Sequence, residues 1–156
     1  MPIAHTLIKV PAAQLAAVDK FYVQALKPLG YAKLRTFPNG MSAFGISLPE
    51  WFIAPGGTGP SEAVHVAFAA PGMCEPPVAS SISLRSPPHK MDANYFPYST
   101  DRAAVDAFHA QALEAGGVEN GAPGLRTHIH PNYYAAFAVD PAGNNIEAVC
   151  MNEPEN

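Results

Sequence analysis

The sequence predicts an α+β fold: two tandem βαβββ modules that form a cupped mixed β-sheet with helices on its outer face. Three observations carry this. A fifteen-residue stretch is repeated, each copy follows a strand that opens on histidine and ends on proline, and each is followed by three short strand-like runs. The chain of 156 residues reads as a single domain, with module one at about 1–55, module two at about 62–151 and an insertion at about 72–98.

The repeat pairs AVDKFYVQALKPLGY at 17–31 with AVDAFHAQALEAGGV at 104–118. Eight of the fifteen positions are identical, among them Val18/Val105, Phe21/Phe108, Leu26/Leu113 and Gly30/Gly117, so internal duplication is the natural reading. Both copies space their apolar residues as one face of a helix. Ser99-Thr100-Asp101 offers N-cap oxygens to the second helix, Gly116-Gly117 is a stop signal, and Pro11 sits near the start of the first helix.

The preceding strands are His5-Thr6-Leu7-Ile8-Lys9-Val10-Pro11 and His65-Val66-Ala67-Phe68-Ala69-Ala70-Pro71. The second stands 27 residues further from its helix than the first, and that insertion holds Pro76, Pro77, Pro87, Pro88 and Pro97. A connection so long and proline-rich is uncommon inside a compact domain. It reads as a lid, a dimerisation arm or a surface excursion. Strand-like runs follow near 31–37, 41–48 and 50–54 in the first copy, and near 125–130, 133–139 and 145–150 in the second. Asp140-Pro141-Ala142-Gly143-Asn144 is turn chemistry between the last two. Gly56-Gly57-Thr58-Gly59-Pro60 reads as the linker between modules.

Composition narrows the function. Hydrophobic residues make up 48% and charged residues only 14%, so a homodimer is expected to cover part of the uncharged surface. The net charge of −4, with nine scattered basic residues, lacks the footprint of a nucleic-acid binder. No apolar run is long enough to span a membrane, and no secretory signal pattern opens the chain. Two cysteines, Cys74 and Cys150, are too few for a disulfide framework, and a cytoplasmic setting is expected.

The two-residue period of a strand puts His65, Ala67 and Ala69 on one face and Val66 and Phe68 on the other. The small-residue face leaves room for a ligand. His5 takes the corresponding place in the first copy. Glu147, mid-strand among Ile146, Ala148 and Val149, is costly to bury unless it meets a cation or donors. Two imidazoles and a carboxylate form a known set for a divalent ion (Mn, Fe, Zn or Ni). The plainer alternative is two hydrogen-bonded histidines at strand starts and a carboxylate on an edge strand.

His5, His65 and the closing YYAAFAVDPAGNNIEAV at 133–149, with FHAQALEAGG at 108–117, resemble the vicinal oxygen chelate (glyoxalase/bleomycin-resistance/dioxygenase) superfamily. The likeness covers the chain apart from the insertion. It implies His5, His65 and Glu147 as metal ligands, and a small metalloenzyme of lyase, isomerase, transferase or dioxygenase type acting on a small oxygenated substrate. The alternative it leaves open is a metal-free binding or sequestering protein. A fourth ligand of glyoxalase type is missing, because Glu50-Trp51-Phe52-Ile53 places an aromatic residue where Glu147 stands in the second copy; Glu50 would substitute only by a one-residue register slip. Trp51, Arg126, Tyr133 and Tyr134 are candidates to contact substrate, with ordinary packing as the competing role. His128-Ile129-His130 is a weaker metal candidate, His109 reads as a half-exposed packing residue on a helix, and His89 would reach a site only if the insertion folds over it.

Overall fold

The computed structural model describes residues 4–56, 63–70 and 102–152. The insertion, with Cys74 and His89, and the cap residues 99–101 lie outside them. The elements run strand, helix and three strands, twice. They are β1 (Thr6–Val10), α1 (Leu15–Ala25), β2 (Ala32–Thr36), β3 (Ser42–Gly45) and β4 (Trp51–Pro55), then β5 (His65–Ala69), α2 (Arg102–Glu114), β6 (Val118–Leu125), β7 (Tyr134–Val139) and β8 (Asn145–Cys150). A single 3₁₀ turn, Lys27–Leu29, follows α1 and ends at Gly30 in the left-handed region (φ 83°).

The strands form two four-stranded sheets among the described residues, ordered β1-β4-β3-β2 and β5-β8-β7-β6. The first strand of each module runs parallel to its last, and the other pairings are antiparallel. The two sheets repeat each other in register. Leu7 pairs with Phe52 as Ala67 pairs with Glu147. No slip brings Glu50 to the position of Glu147; Phe52 fills it.

Helix α1 starts four residues after Pro11, and its N-cap residue Gln14 makes no side-chain cap bond. Packing therefore holds this helix more than capping does. Val18, Phe21 and Tyr22 of α1, with Val105 and Phe108 of α2, enter one core together with Trp51 of β4 and Phe68 of β5. The modules thus share an interior. Tyr22 donates to Asp140 Oδ2 at 3.0 Å, joining α1 to the turn between β7 and β8. Asp140 is buried and also accepts from the backbone N–H groups of Ala142 and Asn144 and from Asn144 Nδ2. Burial first, then the Asp140 charge and hydrogen bond, push the Tyr22 hydroxyl well above its ordinary pKa.

One element departs from expectation. The strand expected near 125–130 lies upstream, at Val118–Leu125, and residues 126–132 form turns. Gly121, Pro123 and Gly124 have the composition of a loop, yet β6 pairs with β7 through two register shifts, at Glu119/Gly121 and Gly121/Gly124. Bulges let a strand carry such residues.

Candidate metal and substrate site

In the second sheet, Val66 and Phe68 of β5, Ile146 and Ala148 of β8, and Ala136 and Ala138 of β7 turn into the shared core. Alternation sends His65 and Ala67, Asn145 and Glu147, and Tyr133, Ala135 and Phe137 to the other face. A row of paired residues crosses that face: Ala67, Glu147, Phe137, Gly121. Small residues, Ala67 and Gly121, stand at the two ends of that row.

Glu147 is only 3% exposed, and both carboxylate oxygens are engaged. Tyr133 donates its hydroxyl to Oε1 at 2.7 Å, and His65 Nε2 lies 2.9 Å from Oε2. His65 is half exposed, so the pair sits at the floor of an open face rather than inside the core. Its other ring nitrogen, Nδ1, is 2.8 Å from Asn145 Nδ2, and Asn120 Nδ2 donates to Asn145 Oδ1 at 3.0 Å. The His65 ring also stacks against Phe137, with centroids 6.2 Å apart. Position and tilt of this imidazole are therefore held by neighbours. Desolvation, then the Glu147 hydrogen bond and charge, push the Tyr133 hydroxyl up to about 12, so it is a donor at ordinary pH.

The expected site residues fall into three groups. His65, Glu147 and Tyr133 meet directly, and Arg126 reaches the same face over the Phe137 ring, 5.5 Å from its centroid. His5 is exposed just before β1 and meets Phe52 edge-on, with centroids 5.4 Å apart. It borders a cavity of about 280 Å³ between β1, the start of β4 and β5. Among the described residues no three His, Cys, Asp or Glu side chains gather closely enough to hold a metal together.

Trp51 and Tyr134 face the helices. Trp51, 1% exposed, packs between Tyr22 and Phe68 at the cavity wall. Tyr134 donates to Asp106 Oδ1 of α2 at 2.7 Å and lies under Arg102. Burial and the Asp106 bond raise its pKa, while Arg102 and Arg126 pull it back down. His128 and His130 are exposed in the turn after β6, and His109 is half-buried on α2 with Glu119 4.0 Å away.

Two partners escaped the sequence reading. Phe137 looks like any core strand residue, and Asn145 follows a turn in which asparagine is ordinary. Their signal is register: Asn145 pairs with His65, and Phe137 with Glu147.

Of the expected donors, His65 Nε2 and Glu147 Oε2 stand close enough to be two ligands of one ion. Two cis ligands at about 2.1 Å from an ion stand about 3 Å apart. The His65–Glu147 separation of 2.9 Å already has that spacing.

No protein-family model matches the sequence, and none of the curated proteins does. Solved structures match it by fold. A glyoxalase/bleomycin resistance protein from Albidiferax ferrireducens T118 superposes with TM-score 0.65 at 20% identity, covering 94% of this chain and 97% of that one. A glyoxalase/bleomycin resistance protein/dioxygenase family enzyme from Burkholderia phytofirmans PsJN gives 0.56 at 13%, covering 97% and 100%. A variant of the fosfomycin resistance protein FosX from Listeria monocytogenes, complexed with Mn(II) and 1S,2S-dihydroxypropylphosphonic acid, gives 0.59 at 12%, covering 97% and 90%. With its strand–helix–three-strand unit repeated and both sheets in matching register, this chain has the fold of the glyoxalase/bleomycin resistance/dioxygenase proteins.

Proposed function

We propose that this protein is a small glyoxalase-like metalloenzyme acting on a small oxygenated substrate, with a divalent ion held by His65, Glu147 and a His5 imidazole. The observation that carries the reading is the 2.9 Å approach of His65 Nε2 to the buried Glu147 Oε2. A bound Mn, Fe, Zn or Ni would polarise a substrate oxygen as a Lewis acid, the step that lyase, isomerase, transferase and dioxygenase chemistry share.

The chain's own residues divide the remaining work. Tyr133 occupies Glu147 Oε1, which leaves Oε2 directed at His65. Asn145 fixes the His65 ring through Nδ1, so Nε2 stays aimed at the carboxylate. With the amide nitrogen donating, Nδ1 accepts and Nε2–H donates to Glu147. To ligate a cation through Nε2 the neutral ring would carry its proton on Nδ1 instead, with the Asn145 amide turned to accept it.

His5 meets Phe52 on module one and borders a cavity that Ala67 and Ala69 of β5 also line, without joining His65 and Glu147 in a three-ligand cluster among the described residues. In a homodimer, His5 of a second copy can supply the third ligand, which gives the expected self-association a chemical purpose. Elemental analysis with light scattering tests this. A dimer with one ion per chain is expected in the wild type, and H65A and E147Q should lose the ion while remaining folded. Retention of the ion by both variants overturns the ligand assignment.

The same packing of His5 on Phe52 favours a second reading, a metal-free protein that binds or sequesters a small molecule on the open face. Wild-type preparations devoid of metal after supplementation with each candidate ion would support it.

A further inference from the structure

We propose that Arg126 reads an oxyanion on the substrate, so that this face selects small molecules carrying a carboxylate or phosphoryl group one aromatic ring away from the oxygen presented to His65 and Glu147. The position of the reacting end rests on the proposed function; the charge of the far end rests on Arg126 alone.

The guanidinium is built into the face. It lies over the Phe137 ring, and Phe137 in turn stacks with His65, so a single ring links the cation to the metal-ligating pair. Arg126 Nη2 donates to the Ala122 carbonyl at 2.8 Å and Nη1 to the Leu125 carbonyl at 3.5 Å, which pins the fork without neutralising it. A guanidinium carries five N–H donors, so donors remain for a ligand. Among the described residues no carboxylate forms an ion pair with it; the ion pairs there involve Lys33, His65 and His109. The nearby acids are committed elsewhere, Asp106 to Tyr134 and Glu147 to Tyr133 and His65.

The two glycines of the bulged strand explain how the stack fits. A Cβ at Gly124 would come within 3.0 Å of Arg126 Nη1, and a Cβ at Gly121 within 2.9 Å of the Phe137 ring. Loop-like composition inside β6 thus clears the space that Phe137 and Arg126 occupy. An arginine tethered over an aromatic ring by its bond to Ala122 loses less freedom on binding than a free one, and its planar fork matches carboxylate and phosphoryl oxygens. Cation–π stacking adds to this without consuming the in-plane donors.

Calorimetry with the full-length protein, with and without added Mn(II), tests the proposal. The probes are glycolate, 3-hydroxypropionate and 4-hydroxybutyrate against their neutral amides, and 2-hydroxyethylphosphonate for the phosphoryl arm. The wild type is expected to favour an anion over its amide by about tenfold or more. R126M should erase that preference, and R126K should retain part of it. Equal binding of anions and amides, an undiminished preference in R126M, or no saturable anion binding overturns the proposal. Metal content measured on the same samples separates the two readings. An anion preference that depends on Arg126 in a protein that takes up no ion keeps this inference and removes the metalloenzyme, and an ion without the preference does the reverse.

Discussion

Glu147 can lie buried in a strand of isoleucine, valine and alanine because two neighbours compensate it, the Tyr133 hydroxyl on one oxygen and His65 on the other. Removing the tyrosine donor by Y133F strands Oε1 and should cost about 1–2 kcal/mol in urea unfolding, with metal uptake reduced because the carboxylate is free to rotate. The hydroxyl, raised to about 12, is protonated throughout the physiological range. It therefore positions the carboxylate and does not serve as a base near neutrality.

Asn145 acts one bond further out. Substitution N145L removes the partner of His65 Nδ1 and should weaken the divalent ion roughly tenfold, whereas N145D, which accepts strongly from Nδ1–H, should tighten it. Titration against a fluorescent chelator reads both. Equal affinities in the two variants would show that Asn145 has no part in orienting the ring. His65 and Glu147 were legible as residues because an imidazole opening a strand and a carboxylate among aliphatics are chemically out of place. Asn145 and Phe137 were not, since each is ordinary in its local context and gains its role from a strand distant in sequence.

Elements were legible where pattern and geometry agree. The repeated helix keeps Val18, Phe21, Val105 and Phe108 fully buried, as its spacing predicts. β6 shows the opposite case, because glycine and proline speak for a loop while cross-strand pairing to β7 and two bulges make a strand. Tertiary pairing overrides local preference there. Gly121 (φ 154°) is the point where that strand is most constrained, with the Phe137 ring directly above it. G121A should destabilise the protein by about 1–3 kcal/mol and displace Phe137, weakening both the His65 stack and the Arg126 platform. Thermal melts with near-ultraviolet circular dichroism check this; an unchanged melting temperature contradicts it.

Over the whole molecule, the two modules share one core. Trp51 meets Phe68 across the module boundary, and Tyr22 reaches Asp140. The duplication was visible in the sequence, but the docking of one module on the other was not, because neither periodicity nor turn chemistry encodes it. His5, expected to converge with His65 and Glu147, packs edge-on against Phe52. The buried lock also predicts alkaline behaviour. Folded Tyr22 holds its proton above the ordinary value of 10.0, so this contribution is complete below pH about 10 and is lost as pH rises through the folded pKa. Y22F should lower stability near neutrality by about 1–3 kcal/mol and flatten the decline above pH 10. An equally steep decline in Y22F would assign alkaline unfolding to other groups. No helix among the described residues is long and apolar enough to cross a membrane.

Co-purified heterodimers of H5A and E147Q chains offer the most direct measurement. If an ion is held by His65 and Glu147 of one copy with His5 of the other, each variant alone binds no metal, and the mixed dimer regains one intact site and one ion per two chains. Metal-free mixed dimers beside a metal-loaded wild type, or full occupancy in either variant alone, would contradict the account.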